Sequence, residues 1–298
     1  MGVTLSRLDR RRALIVCAWA SLCANILLVV TGGAVRLTDS GLGCPTWPRC
    51  TNGDLTPRAE LNVHSAIEFS NRMLTFVLTA VAIATLLAAW RTAHRWLAVW
   101  LLLGIPAQAV VGGISVLTKL NPWVVSIHLV ASMAIIGLAV LLLWRVYGGG
   151  PGADRGPVAW LGWANFVVAW LVLYAGTVVT GAGPHAGDST SQRNGLSVLQ
   201  FAQLHADLVC LFIGLTIGLV VLSYALKAPA ASVRAGWILL GVELAQGAIG
   251  WVQYFTHVPI VLVMFHMLGA ALISAAVTWV LLRVRAGVPD DERQPAAA

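Results

Sequence analysis

Histidine supplies the clearest chemistry in this sequence, and the seven histidines sort by position. His94 stands in a basic stretch, while His185 and His257 sit among loop-forming residues, where an imidazole is ordinarily solvated. His64 opens a long apolar run. His128, His205 and His266 fall inside apolar runs, each about two turns in from run starts near 122, 198 and 259. An ionisable side chain inside such a run is costly and is read first as functional. Their common depth lets His205 and His266 face each other across a helical bundle, and two opposed imidazoles make an axial pair for a haem iron. Zinc fits less well, because the runs carry neither a carboxylate cluster nor a Cys-x-x-Cys pair at ligand spacing.

A second group of polar residues lies on the run that His64 opens, Ile67-Glu68-Phe69-Ser70-Asn71-Arg72. Asn71 stands at the depth where a partner for His128 is expected. His64, seven residues earlier, is about 10 Å shallower on nearly the same helix face. Glu68 and Arg72 are spaced i, i+4 and can pair. Two readings stand: a structural ion pair near the interface, or a buried acid beside a reacting group with the arginine on a propionate. Asp207 and Glu243 either bond a histidine or help pack helices. Cys44 and Cys50 flank Pro-Thr-Trp-Pro-Arg in a loop that can close through a disulfide, acting as a staple and lid in preference to a redox dithiol. Cys17, Cys23 and Cys210 fall inside apolar runs and read as packing residues.

The elements that must position these groups follow from composition. Of 298 residues, 58% are apolar and 10% charged, with a mean hydropathy of +0.82. Soluble domains carry about 25% charged residues, so an ordinary soluble enzyme is excluded. Runs at 13–35, 63–90, 96–117, 122–144, 158–180, 198–226, 235–256 and 259–282 are each long enough to cross a bilayer, and lipid forces them to be helices. The expected fold is an all-α integral membrane protein of eight transmembrane helices. With the N-terminus inside, thirteen Lys and Arg lie on the inner side against five on the outer, with Arg72 inside a span. Both termini are therefore expected in the cytoplasm, and the net charge of +7 serves topology, not nucleic-acid binding. Trp90, Trp96, Trp123, Trp144 and Trp160, at span ends, read as an aromatic belt. The first span reads as an uncleaved helix, not a signal peptide.

The chain also repeats itself. Gln108-Ala-Val-Val-Gly112 precedes His128 by twenty residues, and Gln246-Gly-Ala-Ile-Gly250 precedes His266 by twenty, an offset of 138 (266 − 128). Val30-Thr31-Gly32 matches Val179-Thr180-Gly181. The glutamines and glycines read as interhelical contacts. Two pseudo-symmetric four-helix bundles are expected: residues 1–147 with a pocket around His128 and the cysteine loop, a linker at 148–157, residues 158–285 with the His205–His266 haem site, and a cytoplasmic tail at 286–298. A parallel repeat also suits a transporter, but the intramembrane charges cluster towards the outer face and not at the midplane.

The stretches Thr31-Gly-Gly-Ala-Val-Arg-Leu-Thr-Asp-Ser-Gly-Leu-Gly-Cys-Pro-Thr-Trp-Pro-Arg-Cys50, Ile67–Arg72, Gly183-Pro-His-Ala-Gly-Asp188 and Leu204-His205 resemble the haem A synthase family over nearly the whole chain. That resemblance implies an oxidoreductase of the bacterial cell membrane that oxidises the C8 methyl of haem O to a formyl group, giving haem A for cytochrome c oxidase. It implies two hydroxylations of the methyl followed by loss of water. It also implies a haem b cofactor on His205 and His266, a substrate haem on His128, Glu68 as the essential acid, and a Cys44–Cys50 disulfide over the substrate side. Its implied partners are haem O, haem O synthase, oxidase assembly factors and the lipid bilayer, with a homo-oligomer left open. The family pattern is Glu-x-x-His-Arg, whereas this chain has Asn71 in the histidine's place. The substrate haem is then held by His128 alone, His64 moves in, or Asn71 binds weakly or through water, and depth ranks His64 narrowly below a five-coordinate haem. The rival reading is a bis-histidine membrane cytochrome that passes electrons to or from quinone, which needs a ligand pair in both halves.

Overall fold

The computed structural model of the chain describes residues 7–51, 53, 54, 56, 62–152 and 154–286. The tail beyond 286, with Arg293, and loop residue Arg58 therefore lie outside the described residues. Among the described residues the chain forms eight α-helices and no strand: α1 (Arg7–Leu37), α2 (Val63–Ala89), α3 (Arg95–Leu117), α4 (Pro122–Val146), α5 (Pro157–Ala182), α6 (Val198–Ala225), α7 (Ala230–Phe255) and α8 (Ile260–Arg285). Each is long and apolar enough to cross a membrane, so this is a multi-pass membrane protein. The helix ends follow local chemistry. Asn62 caps α2 by accepting from Ser65 N at 2.8 Å, Ser197 caps α6, and proline stands at the start of α4 and α5.

In the first half α1 packs on α2 and α4, α2 on α3, and α3 on α4; in the second half α5, α6, α7 and α8 make the same four pairings. The repeat extends to the backbone of the turns. Lys119 and Leu120 end the turn after α3 with positive φ, and His257 and Val258 do so after α7. Leu120 N bonds Ser115 O at 2.7 Å and Val258 N bonds Gln253 O at 2.7 Å, so two tight turns of one design each deliver the helix that carries a half-buried histidine.

The halves meet through α4 on α8, α1 on α8 and α4 on α5. Small residues permit close approach there, as expected where lipid leaves packing and polar contacts to hold helices together. Ser274 Oγ of α8 donates to Met133 O of α4 at 2.8 Å, and both residues are buried. At the end of the helices where α1 finishes, Arg36, in its last turn, donates to His185 O at 2.6 Å and Thr180 O at 2.9 Å, while Gly41 N reaches Gly187 O at 2.8 Å. At the opposite end of the helices Trp144 departs from the expected belt. It is buried edge-on to Trp279, with the Arg283 guanidinium stacked on both rings. Trp90, Trp96, Trp123 and Trp160 are exposed.

Candidate functional site

On α2 the side chain of Glu68 is buried and both of its oxygens are held. Oε1 accepts from Arg72 Nη2 at 2.6 Å, one helical turn away, and Oε2 accepts from the backbone N–H of Cys44 at 2.6 Å. Arg72 also donates to Cys44 O at 3.0 Å and to Thr46 O at 3.2 Å. The i, i+4 pair is thus formed, and its arginine serves the loop carbonyls. Cys44 and Cys50 are joined by a disulfide with their Cα atoms 4.4 Å apart. The loop crosses the mouth of the first bundle. Ser65 Oγ of α2 donates to Gly43 O at 2.8 Å, and the Trp47 indole lies so close to Gly113 of α3 that a Cβ there would overlap it.

Gly113 adjoins Gly112, the surface on which the His128 ring rests. A Cβ at Gly112 would stand 3.3 Å from His128 Cε1, and one at Gly250 would stand 3.3 Å from His266 Cε1. Gln108 Nε2 donates to His128 O at 3.0 Å and Gln246 Nε2 to His266 O at 2.8 Å. The Gln-x-x-x-Gly motif is therefore a single device used twice. One helix turn offers an amide to the histidine's carbonyl, and the next offers a bare surface to its ring. Sequence reading placed these residues as interhelical contacts, which they are, without seeing that both act on histidine.

His205 on α6 has a matching support that sequence reading missed. Its Nδ1 bonds Val172 O at 3.1 Å, and a Cβ at Gly176 would stand 3.1 Å from its Cε1. A glycine in mid-span, where it weakens the helix, was the available signal. Donation from Nδ1 to a carbonyl leaves the Nε2 lone pair free, the tautomer a metal-ligating histidine needs. His205 on α6 and His266 on α8 stand in helices that both pack on α7. Two imidazoles on facing helices, each backed by a glycine, fit a bis-imidazole haem.

The remaining predicted residues are placed as follows. His64 is exposed at the second residue of α2, with Nδ1 3.0 Å from Ser40 Oγ, so it is engaged by the outer loop. Asn71 lies one turn beyond Glu68, with Oδ1 buried and unpartnered. Asp207 accepts from Gln203 at 2.7 Å and Glu243 from Thr216 at 2.6 Å, so neither bonds a histidine.

The chain is similar to several known proteins. It is 31% identical over 179 residues to a protein of Lysinibacillus sphaericus named "Heme A synthase", covering 54% of this chain and 57% of that one. It is 25% identical over 293 residues to a Staphylococcus epidermidis protein of the same name, covering 89% and 94%. A Thermus thermophilus protein named "Protoheme IX farnesyltransferase" is 32% identical over 185 residues, 57% of this chain and 30% of that protein. The family model described as "Cytochrome oxidase assembly protein" matches residues 15–191. With more than half of its length matched, the chain belongs to the COX15-CtaA family.

Proposed function

We propose that this protein is a haem A synthase, an oxidoreductase that converts the C8 methyl of haem O to the formyl group of haem A for cytochrome c oxidase. The observation that carries the reading is the fixed carboxyl of Glu68, clamped by Arg72 and the Cys44 amide in the bundle that also presents His128 on its glycine cradle. The similarity to a "Protoheme IX farnesyltransferase" fits a substrate that is a farnesylated haem.

The first bundle holds the substrate and the second holds haem b. His205 and His266 are the haem b ligands, and when bound there haem b supplies one-electron transfer. His128 orients the substrate haem in the first half. On α2 Asn71, whose buried Oδ1 has no partner among the described residues, stands where the family pattern has histidine. That leaves one face of the substrate without a strong protein ligand. His64, tied to Ser40, stays outside the pocket. Glu68 accepts protons released in the reaction or stabilises positive charge that develops at the methyl carbon. Its two hydrogen bonds fix the carboxyl plane, while each oxygen keeps a second lone pair. The disulfide loop, pinned to α2 by Arg72 and to α3 by Trp47, excludes water from the outer mouth. Both termini lie in the cytoplasm by the positive-inside count, which puts the disulfide on the oxidising side. The electron-carrier alternative finds no support, because the first half has Asn71 where it needs an imidazole.

Glu68→Gln keeps the shape of the side chain and removes its charge and basicity. Expressed with a supply of haem O, this variant is expected to yield no haem A while retaining haem b, measured by chromatography of the extracted haems. Haem A at a near-wild-type level would remove Glu68 from the mechanism.

A further inference from the structure

The second bundle contains a buried polar cluster apart from its histidines. Glu243 on α7 is 2% exposed, and Thr216 on α6 and Asn165 on α5 are both 0% exposed. Asn165 Nδ2 donates to Thr216 Oγ1 at 2.7 Å, and Thr216 donates to Glu243 Oε1 at 2.6 Å. Glu243 Oε2 and Asn165 Oδ1 are buried and have no partner. A chain of donors thus ends on a carboxyl whose second oxygen is free to carry a proton.

The fold does not require this cluster, as the other half demonstrates. The 138-residue offset carries Glu243 onto Ile105, and the 134-residue offset between Asn71 and His205 carries Thr216 onto Ala82. Ile105 and Ala82 are buried together with Leu78 in an apolar cluster. The same contact between the second and third helices of a bundle is therefore apolar in one half and ionisable in the other. Burying a polar group in place of such a contact costs stability. The half that bears this cost is the one with two opposed imidazoles.

Among the described residues no cation is bonded to Glu243. The facing group on α6 is the Thr216 hydroxyl, and the group reached through it on α5 is the Asn165 amide. Residues 267–277 of α8, which packs on α7, contain no ionisable side chain. Along α7 the nearest ionisable residue is Arg234, nine residues or about 13 Å towards the inner end. Towards the outer end stand His205 and His266, and Gln246, one turn from Glu243, holds the carbonyl of His266. The charge that can balance a carboxylate here is the one carried between those histidines.

We infer that Glu243, with Thr216 and Asn165, is a proton-binding site coupled to the electron on the bis-histidine centre. This rests on the assignment of haem b to the second bundle. One electron, delivered by an external one-electron reductant, is matched by one proton taken from water and bound at Glu243 Oε2. The net charge of the bundle interior is then the same before and after.

The test is a redox titration of the purified haem-loaded protein with dithionite and mediators at a series of pH values, paired with redox-difference infrared spectroscopy. Wild type is expected to show a haem b midpoint potential that falls as pH rises, together with a carboxyl band on reduction. Glu243→Gln is expected to lose that band and flatten the pH dependence. So is Thr216→Ala combined with Glu243→Ile, which installs the residues that the first half already accommodates. A pH dependence and infrared spectrum unchanged in both variants would overturn the proposal, leaving haem b in place. A wild-type protein that binds no haem b would overturn the underlying assignment, and the proposal with it.

Discussion

Histidine and glycine act as pairs in this molecule. Each of His128, His205 and His266 rests against a glycine on a neighbouring helix, with a Cβ at that glycine falling 3.1–3.3 Å from the imidazole Cε1. Replacing Gly176 with valine forces the His205 ring out of position. Overpacking of this kind costs about 1–3 kcal/mol, so retention of haem b is expected to drop by roughly one to two orders of magnitude. Gly112→Val is expected to spare haem b and weaken the substrate haem. Spectral titration of each purified variant with the corresponding haem checks both. Equal loss of both haems in either variant would mean that the glycines serve packing alone. The histidines were legible in the sequence because an ionisable residue in an apolar run stands out. Gly112 and Gly250 were legible as a repeated spacing. Gly176 was not, since its relation to His205 crosses between helices and has no signature in spacing.

At the scale of elements, the loop before α2 and α2 itself form one unit. The Cys44 amide holds Glu68, the Cys44 carbonyl holds Arg72, and the disulfide fixes the segment that carries both. The i, i+4 spacing announced the Glu68–Arg72 pair, but it could not announce the Cys44 amide, whose direction depends on how the loop folds back. A hydrogen bond to a charged group contributes about 1.5–3 kcal/mol. Cys44→Ser combined with Cys50→Ser is therefore expected to lower the rate of haem A formation by roughly 10- to 100-fold, with haem b content unchanged because the disulfide segment packs on α2 and α3 while the loop's bond to the second half, Gly41 N to Gly187 O, lies outside it. Rates in membranes of the double variant, normalised to haem b, measure this. An unchanged rate would reduce the disulfide to a staple with no hold on Glu68. The helices themselves were the most legible elements. All eight were visible as apolar runs, because lipid leaves an apolar segment no other regular structure. Trp144 was misread as a belt residue, since a tryptophan at a span end looks the same whether it meets headgroups or a partner helix.

Across the whole molecule the helices pair in the same order within each half of the chain, and the two halves differ in their polar interiors. The first keeps Glu68 under a disulfide loop and has Asn71 where the second has His205. The second keeps two opposed histidines and, beside them, the Asn165–Thr216–Glu243 cluster. The repeat was visible at 138 residues because the histidine supports must keep their spacing. The division of polar residues between halves was only half visible, since Thr216 and Asn165 acquire meaning through contacts that no single helix encodes. Arg36 in the last turn of α1, tied to the Thr180 and His185 carbonyls, joins the two halves of the chain. The division of labour between the halves is tested most directly by pyridine haemochrome analysis of wild type beside His128→Ala and His205→Ala, each expressed with haem O. The account predicts that His128→Ala loses the substrate and product haem and keeps haem b, and that His205→Ala loses haem b and still binds the substrate haem. Loss of the same haem in both variants would contradict it.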